Sequence, residues 1–535
     1  MIGDPGGLTY SSGITLGGGA LSGAGFGGLQ AFTGDPTAIA IGNNARANKA
    51  GSLALGLNGL ADGINSTAIG NGAQALAGSA TAIGDGAIAQ GTNSTAIGRL
   101  SFAAGMNSTA VGNGSQALAD SAAAFGDGAV AQGTNSTAVG NGSKALADSV
   151  VAIGDGAIVA PSAGAGSFAG GTSTVNSGIG AVAIGNLNVA TGNGAVAIGD
   201  PNIVIGTGAV AAGANNTAIG QGAVAAGNAN TATGQGAVAT GNANIATGQG
   251  AVAAGNNSQA NNAGSIAIGD TAVVTAAGTQ GIAIGSNSTA SGAQSIAFGV
   301  GSQATALSAT AIGNAAVATA ANASAFGQGA VASSTNSTAS GSNAKASGAS
   351  SVAVGDSAAA SATNTTAVGE GATASAANCS AFGAGATCNV PNQVAIGTAK
   401  NTTIMPGITS SQSLAQQSGP LQVATTDSAG HLASDHGETF TAIAQARAGI
   451  AVVAALQAPS LTARENFGMR IGYGNFDSVA NAMGINAIGV VCKECFSQSD
   501  RIAIDVGVGI GISEFKTYGQ PGSVTVTRVG GQWTW

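Results

Sequence analysis

The feature that most constrains this chain is a glycine that recurs every fourteen residues, usually preceded by alanine and a β-branched residue or phenylalanine. The register is carried by Gly42, Gly56, Gly70, Gly84, Gly98, Gly112, Gly126, Gly140 and Gly154, by Gly185 and Gly199, and by Gly285, Gly299, Gly313, Gly327, Gly341, Gly355, Gly369, Gly383 and Gly397. Between Gly199 and Gly255 glycines also recur every seven residues, so the unit consists of two half-units. Self-similarity at a fixed period is typical of a solenoid.

Each half-unit is long enough for one short strand. Seven residues accommodate an extended segment of about four or five residues and a two-residue glycine turn. Small residues alternate with Ile, Val or Thr, as in Ser79–Gly91, which is the pattern of a pleated strand with two faces. The period excludes a hexapeptide helix and a nonapeptide calcium-binding roll. The sequence therefore predicts a flat parallel β-roll with two strands per turn.

Composition supports this prediction and adds a second one. The 92 glycines would destabilise a helix by about 1 kcal/mol each relative to alanine. Aromatic residues make up only 3% of the chain, so a single roll has a thin core of Ala, Val and Ile. Burial at about 25 cal/mol per Å² must exceed an ordering cost of roughly 1 to 2 kcal/mol per residue. We therefore expect identical chains to pack side by side.

Charge and cysteine content exclude several classes of function. The net charge is −8 with 6% charged residues, which leaves no basic surface for nucleic acid. The cysteines form two pairs in sequence, Cys379 with Cys388 and Cys492 with Cys495. The second pair is a CxxC, but both histidines lie elsewhere, so we expect no metal and no cofactor. A local Cys492–Cys495 disulfide in an oxidising compartment is the favoured interpretation, and inert thiols are the alternative.

The chain divides into five segments by pattern. They are a glycine-rich segment (1–30), the repeats (31–397), a neck or linker (398–434), a helix (435–458) and a strand-rich region (459–535). Asp435 and Glu438 form a capping-box pattern that predicts the start of the helix. Its apolar residues have spacings suited to a seam with other helices: Phe440, Ile443, Ile450, Val453 and Leu456.

The last segment alternates apolar residues with glycine or polar residues. Four strands are predicted, at about 465–476, 480–491, 501–513 and 523–535. Strands of this length with an apolar outer face are typical of an outer-membrane barrel. Four strands cannot close a barrel, whereas three chains supply twelve and leave room for three helices inside. We expect these residues to face lipid: Phe467, Met469, Ile471, Tyr473, Ile502, Ile504, Val506, Val508, Ile510, Ile512, Val529, Trp533 and Trp535. A small soluble β-domain is the alternative.

The ordered combination of these parts resembles a known family. Fourteen-residue units ending in Ala-Ile-Gly, the neck sequence Asn392–Gly397 and a helix with four strands ending in Gln532–Trp535 resemble the YadA-like trimeric autotransporter adhesins. The resemblance covers roughly residues 30–535. It implies an all-β homotrimer with a left-handed parallel β-roll head and a C-terminal twelve-stranded barrel that anchors and helps export the passenger. By the family's topology, Cys492 and Cys495 would lie in a periplasmic turn.

The resemblance also suggests a contact surface. The family's head motif Asn-Ser-Val-Ala-Ile-Gly-x-x-Ser has been linked to collagen binding, and three near matches carry Thr in place of Val. The candidate ligand-contact residues are Asn93, Ser94 and Ser101, then Asn107, Ser108 and Ser115, then Asn135, Ser136 and Ser143. Asn and Ser are also ordinary turn residues that satisfy the repeat itself. The irregular stretch Ala160–Ser177 is a second candidate, with plain spacer as its alternative.

These patterns favour a surface adhesin that attaches a cell to host matrix, abiotic surfaces or other cells through a multivalent head. The alternative is a structural trimer like a phage tail fibre, without membrane insertion. A solenoid enzyme is disfavoured, because Asp85, Asp127 and Asp155 lie singly in Gly-Asp-Gly turns without a catalytic partner. No secretory signal follows Met1, so we expect the natural start of an exported protein to lie upstream. The expected location is the outer membrane, with the passenger on the cell surface.

Overall fold

The computed structural model describes residues 14–16, 31–418, 421–462, 464–476, 480–496, 500–514 and 521–534. Backbone alone is described for 14–16, 476, 512–514 and, apart from Arg528, for 521–534. Most of the segment 1–30 and Trp535 lie outside the described residues. The chain forms two compact units, Met1–Thr403 and Ile404–Trp535, which are described separately.

The first unit is a parallel β-solenoid. Its 51 described strands occur two per turn, which gives about 26 turns. The first sheet runs from Ile14–Leu16 to Val394–Ile396, and the second runs from Phe32–Thr33 to Thr387–Cys388. In most turns a strand pairs in parallel with the strand fourteen residues later, as Thr95–Ile97 does with Thr109–Val111. The predicted β-roll of two strands per turn is confirmed.

The strands are shorter than the sequence predicts. A typical turn has a strand of three residues, such as Thr95–Ile97, and one of two residues, Phe102–Ala103. The connections take the remaining residues and each includes one in the left-handed region, such as Leu100 at φ 55° and Asn107 at φ 57°. A typical half-unit therefore has two or three strand residues, whereas the sequence predicts four or five.

The interior of the solenoid is lined mainly by alanine. The second residue of each strand points inward, and Ala96, Ala103 and Ala110 are completely buried. The same is true of the corresponding residue in nearly every turn, with valine in its place at Val159, Val175, Val204 and Val274. Side chains of this size allow the two sheets to lie close together, so the outer faces carry the larger apolar residues.

The periodic glycine is required by the close stacking of the turns. Gly112 has φ 134°, a conformation that residues with a Cβ rarely adopt. A Cβ atom added to Gly112 would lie 2.2 Å from the carbonyl oxygen of Gly126 in the next turn. The fourteen-residue signal in the sequence is thus a steric requirement repeated once per turn.

The middle of the solenoid differs from the rest. Two strands are continuous over ten residues, Val196–Ile205 and Val210–Ile219. Here the half-unit of the type Thr-Ala-Ile-Gly lies on the second sheet, as in Thr217–Ile219, whereas Thr95–Ile97 lies on the first sheet. In these turns the two half-units have exchanged sheets.

A column of buried asparagines accompanies this exchange. Its members repeat every fourteen residues and are completely buried or nearly so: Asn188, Asn202, Asn216, Asn230 and Asn244. The Nδ2 of Asn216 donates to the Oδ1 of Asn202 (3.0 Å) and to the carbonyls of Ala212 (3.0 Å) and Gly227 (2.7 Å). The column therefore supplies partners for polar groups inside the solenoid, as burial requires.

The two irregular spacings in the sequence are small insertions in turns. Three extra residues lie in the turn between Ile158–Val159 and Phe168–Gly171, and two lie in the turn between Val273–Val274 and Ile282–Ile284. Strands Phe168–Gly171 and Thr174–Ser177 both pair within the solenoid, the second with a register shift between Val175 and Ser177. The candidate surface Ala160–Ser177 thus consists of an enlarged turn followed by these two strands.

The second unit begins with short elements. A 3-10 helix, Pro406–Thr409, and helix α1, Ser411–Gln416, precede an antiparallel pair of strands, Ala424–Thr426 and Leu432–Ser434. In the hairpin turn, a hydrogen bond from the His431 ring and the backbone N–H groups of His431 and Ala429 lower the pKa of Asp427 to about 2.

Helix α2 spans Glu438–Ala455 and so begins two residues later than the capping-box pattern predicts. Gly437 is the residue before the helix and adopts a left-handed conformation (φ 84°). The Asp435 carboxylate accepts hydrogen bonds from the N–H groups of Thr439, Gly437 and Val423, at 2.8–2.9 Å. A hydrogen bond with the Thr439 side chain, supported by these N–H groups, holds the pKa of Asp435 well below its usual range. Asp435 still accepts a hydrogen bond from the first turn of the helix, although it lies two positions before the N-cap residue Gly437.

Four antiparallel strands follow in sequence order, Phe467–Phe476, Ala480–Lys493, Arg501–Glu514 and Pro521–Thr534. Each boundary lies within two residues of its predicted position. The four are called the anchor strands below. Helix α2 packs on one face of the sheet that they form.

Candidate functional surfaces

The serines of the adhesin-like motif are buried turn residues. Each closes a turn with its hydroxyl, as when Ser108 donates to the carbonyl of Gly105 at 2.6 Å. The exception is the Ser94 hydroxyl, which is buried without a hydrogen-bond partner among the described residues. All six have no exposed surface in the chain: Ser94, Ser101, Ser108, Ser115, Ser136 and Ser143. A ligand could reach these side chains only if the turns opened.

The asparagines of the same motif are exposed. Asn93, Asn107 and Asn135 have φ of 56–58°, which accounts for asparagine at this position of the turn. The Nδ2 of Asn93 donates to the Oδ1 of Asn107 one turn away, at 3.1 Å. The exposed part of the motif is thus an edge of amide groups spaced by one turn.

The outward face of the first sheet is a continuous apolar surface. We call the third residue of each strand, which points outward, the trailing column. In 20 of the 26 turns with described side chains it is Ile, Leu, Val or Phe, and it is never charged: Ile41, Leu55, Ile69, Ile83, Ile97, Val111, Phe125, Val139, Ile153, Gly170, Ile184, Ile198, Ala212, Ala226, Thr240, Ala254, Ile268, Ile284, Phe298, Ile312, Phe326, Ser340, Val354, Val368, Phe382 and Ile396. Many of these side chains are about 40% exposed.

The outward face of the second sheet is different in character. It carries Arg46, Asp62, Lys144 and Lys345 in its strands or just after them, whereas strands of the first sheet include acidic residues only beyond the trailing column, at Asp200 and Asp270. Towards the C-terminal end its trailing positions are hydroxyl residues from Thr275 to Ser375. The outward face of the first sheet is therefore more apolar than that of the second sheet, and its contact with water is less favourable.

One face of the anchor sheet is apolar and exposed. Phe467, Met469, Ile471 and Tyr473 of the first anchor strand are 63–68% exposed. On the third anchor strand, Ile504, Val506, Val508 and Ile510 are exposed and Ile502 is partly exposed. The register pairs Val529 with Val506 and Trp533 with Ile502, but the side chains of Ile512, Val529 and Trp533 are outside the described set, as is the whole of Trp535.

The opposite face of this sheet is lined by glycine and covered by helix α2. A Cβ added to Gly474 would lie 1.9 Å from the carbonyl oxygen of Ala451, and one added to Gly472 would lie 1.9 Å from that of Ala455. The helix presents small residues to the sheet, and Ala448, Ala451 and Ala455 are buried. Glycine is thus required where the helix backbone lies directly on the strands.

An arginine joins the end of helix α2 to the sheet. The Nη1 of Arg528 donates to the carbonyl of Leu456 at 2.8 Å, and its Nε lies 3.4 Å from the Oδ2 of the buried Asp505. This cation satisfies a carbonyl at the C-terminal end of the helix, where positive charge is favourable. The sequence alone does not reveal this contact, because Leu456 lies 72 positions before Arg528.

All four cysteines are paired. Cys492, in the second anchor strand, bonds to Cys495 in the following turn. Cys379 and Cys388 are buried in the last full turn of the solenoid and link its two sheets. Among the described residues, no group of His, Cys, Asp or Glu side chains could hold a metal ion. No helix in the described ranges is both long and apolar enough to cross a membrane.

By its fold and repeat length, the protein is a parallel β-solenoid of fourteen-residue turns, followed in the chain by a helix and four antiparallel strands. The sequence profile of a family described as the YadA head domain repeat, in two copies, matches thirteen segments: 36–58, 61–87, 77–101, 89–115, 103–129, 131–157, 177–200, 218–244, 246–272, 276–302, 304–330, 332–358 and 360–386. Together these cover more than half of the sequence. The chain belongs to the YadA-like family of trimeric autotransporter adhesins. A comparison with curated proteins found no match.

Proposed function

We propose that this protein is a homotrimeric cell-surface adhesin whose C-terminal strands form a twelve-stranded barrel in the outer membrane. In this proposal the barrel anchors the protein and helps to export its own head. The head attaches the cell to host matrix, abiotic surfaces or other cells through many weak contacts.

The observation that carries the proposal is the two-sided anchor sheet. Its glycine face is covered by helix α2, whereas its apolar face, including Ile471 and Val508, is exposed. Exposed apolar surface on strands of 10 to 14 residues suits the hydrocarbon core of a bilayer. A four-stranded sheet in lipid would leave two edges unpaired, and three chains would pair them all.

The free face of helix α2 supports a trimeric barrel. Three of the residues predicted to form a seam remain exposed in the single chain, namely Ile443, Ile450 and Val453. Their spacings of seven and three residues are those of a seam between helices. Only Leu456 of the predicted set is buried against the sheet. Three helices that meet along this seam would fill the lumen of the barrel.

The apolar face of the first sheet supports contact between the heads of the three chains. About 20 trailing side chains with roughly 70 Å² exposed each amount to roughly 1,400 Å² per chain, or about 700 Å² for each of two neighbours, close to the roughly 800 Å² per partner of an ordinary stable interface. A partner for this face must repeat at the same interval along the solenoid, and another copy of this chain does so. The charged second sheet would then face water.

The asparagine edge remains the proposed ligand contact. Asn93, Asn107 and Asn135 are exposed and regularly spaced, and their amides can both donate and accept hydrogen bonds. Replacing all three by alanine is expected to weaken attachment to immobilised matrix proteins such as collagen. Alanine at the matched exposed positions Asn322, Asn336 and Asn364 is the control, and equal attachment by both variants would remove the motif from the proposal.

The trimeric barrel is tested by the mass and location of the full chain expressed with a functional export signal. A detergent-extracted particle of three times 49.6 kDa from the outer membrane is expected. Val508→Arg places a charge on the apolar face at an expected cost of about 2–4 kcal/mol at the bilayer midplane, and should reduce the membrane-bound trimer. Val508→Leu is the matched control.

Other outcomes would change the conclusion. A soluble trimer that forms without detergent would favour a fibre-like structural protein. A soluble monomer would contradict the proposed assembly.

A further inference from the structure

Copies of a long array of similar turns can align with one another in more than one register. If three copies meet along the first sheet, a chain displaced by one turn, about 4.8 Å, presents almost the same surface as an aligned one. Uniform strands specify register weakly for this reason. Any residue that breaks the uniformity of the contacting face therefore affects how the copies align.

The trailing column contains three such breaks. It carries Gly170 in one turn, a block of small residues in four consecutive turns, and Ser340 in another; the block is Ala212, Ala226, Thr240 and Ala254. Three turns separate Gly170 from Ala212, and six turns separate Ala254 from Ser340. Because these intervals differ, no displacement brings all the breaks into coincidence.

The residues beside the block are valine in all four of its turns, as they are in the two turns before it. The first residue of the strand, which also points outward, is mostly Thr in the N-terminal turns but is Val in Val210, Val224, Val238 and Val252. In the four turns of the block, the larger apolar side chain is therefore the first residue of the strand and not the third. The isoleucines of this region, Ile205 and Ile219, lie on the second sheet.

We propose that these breaks in the trailing column form a register key that aligns the copies of this chain turn by turn. The proposal rests on the homotrimer and on contact through the first sheet. In an aligned trimer each break meets its own equivalent. A displacement of one turn places six large residues opposite small ones at each contact, because Gly170 and Ser340 each create two mismatches and the ends of the block create one each.

The test uses two tagged forms of the full chain, co-expressed for export. One carries Ile97→Cys and the other either Ile97→Cys or Ile83→Cys. Since the four native cysteines are paired, the reporters are the free thiols. A disulfide between two reporters at position 97 indicates aligned chains, and one between reporters at positions 97 and 83 indicates a displacement of one turn. With the key intact, the aligned product should exceed the displaced product at least tenfold.

Removal of the key should equalise the two products. The key-filled variant carries Ile at 170, 212, 226, 240, 254 and 340, which removes all six mismatches, and Thr at 210, 224, 238 and 252, which gives the block the strand sequence of Thr95–Ile97. Ser340→Ile alone removes two of the six mismatches and should give an intermediate ratio, so the test does not depend on the folding of the larger variant. Ser347→Ile, on the second sheet of the same turn, is the control and should leave the ratio unchanged.

The outcomes separate this inference from the proposed function. A trimer whose ratio is the same in the parent, Ser340→Ile and key-filled forms would overturn the register key and leave the adhesin proposal standing. Cross-links only between reporters on the second sheet, such as Ser347→Cys, would refute contact through the first sheet. A monomeric chain without cross-links would overturn the homotrimer and the key together.

Discussion

The disulfide between Cys379 and Cys388 should stabilise one end of the solenoid and nothing else. It joins the two sheets in the last full turn, where Thr387–Cys388 has no later strand to pair with. In a solenoid each turn contacts only its neighbours, so the end turns open first. A cross-link at this place acts on the part of the array that is least supported.

The size of the effect follows from the length of the closed loop. The bond closes a separation of nine residues, for which loop entropy predicts a stabilisation of about 2.6 kcal/mol. This corresponds to a factor of roughly 70 in the equilibrium for opening the last turn. The repeat itself offers a matched control, because Ala323 and Ala374 occupy the equivalent buried positions in other turns. The variant Cys379→Ala/Cys388→Ala should therefore fold.

Amide hydrogen exchange measures this opening directly. In the oxidised parent, the strand Ser380–Phe382 should exchange roughly 70-fold more slowly than in the double variant, by the same loop estimate. A reducing agent should accelerate exchange in the parent and leave the variant unchanged. The inner strand Thr109–Val111 should be insensitive in every form. Equal protection of Ser380–Phe382 in oxidised, reduced and variant protein would refute the reasoning.

Three further substitutions test the packing. Gly112→Ala should destabilise the head by at least about 2 kcal/mol in calorimetry, since its Cβ meets the next turn at 2.2 Å, whereas Gly114→Ala, with no atom within 4 Å, should cost only about 1 kcal/mol. Asn216→Leu should cost about 3 kcal/mol by leaving buried carbonyls unpaired, while Asn216→Ser should be better tolerated, and equal losses would refute the role of the amide. Gly474→Ala should lower the temperature at which the anchor dissociates, because its Cβ would lie 1.9 Å from the helix backbone, whereas Gly489→Ala should leave it unchanged. Identical melting of those two variants would contradict helix packing on the glycine face.

The sequence predicts most of the fold because the repeat is a steric requirement. Glycine must recur wherever consecutive turns approach within contact distance, as at Gly112, so the period of the solenoid can be read directly. The anchor strands are predicted equally well, since apolar and small residues alternate without interruption from Ile502 to Ile510. Both signals are local in sequence, and each is repeated many times.

The contacts that the sequence does not reveal are those between distant positions or within turns. The serines of the motif look accessible as polar turn residues, but the structure directs Ser108 inward to bond the carbonyl of Gly105. The asparagines from Asn188 to Asn244 do recur every fourteen residues, which was a usable signal for a buried ladder. The pairing of Arg528 with Leu456 and Asp505 left no such periodic trace.

Two non-repetitive features of this chain lie where a repeat array lacks stability or lacks a distinctive surface. A one-dimensional array gains stability turn by turn, but its ends open easily and its surface is the same at every level. The cross-link at Cys379 and Cys388 addresses the open end, since it holds the last two-sheet turn closed. The block from Ala212 to Ala254 changes an otherwise uniform face in the middle of the array. Under the register-key proposal, these breaks would align identical copies, which a uniform column would specify only weakly.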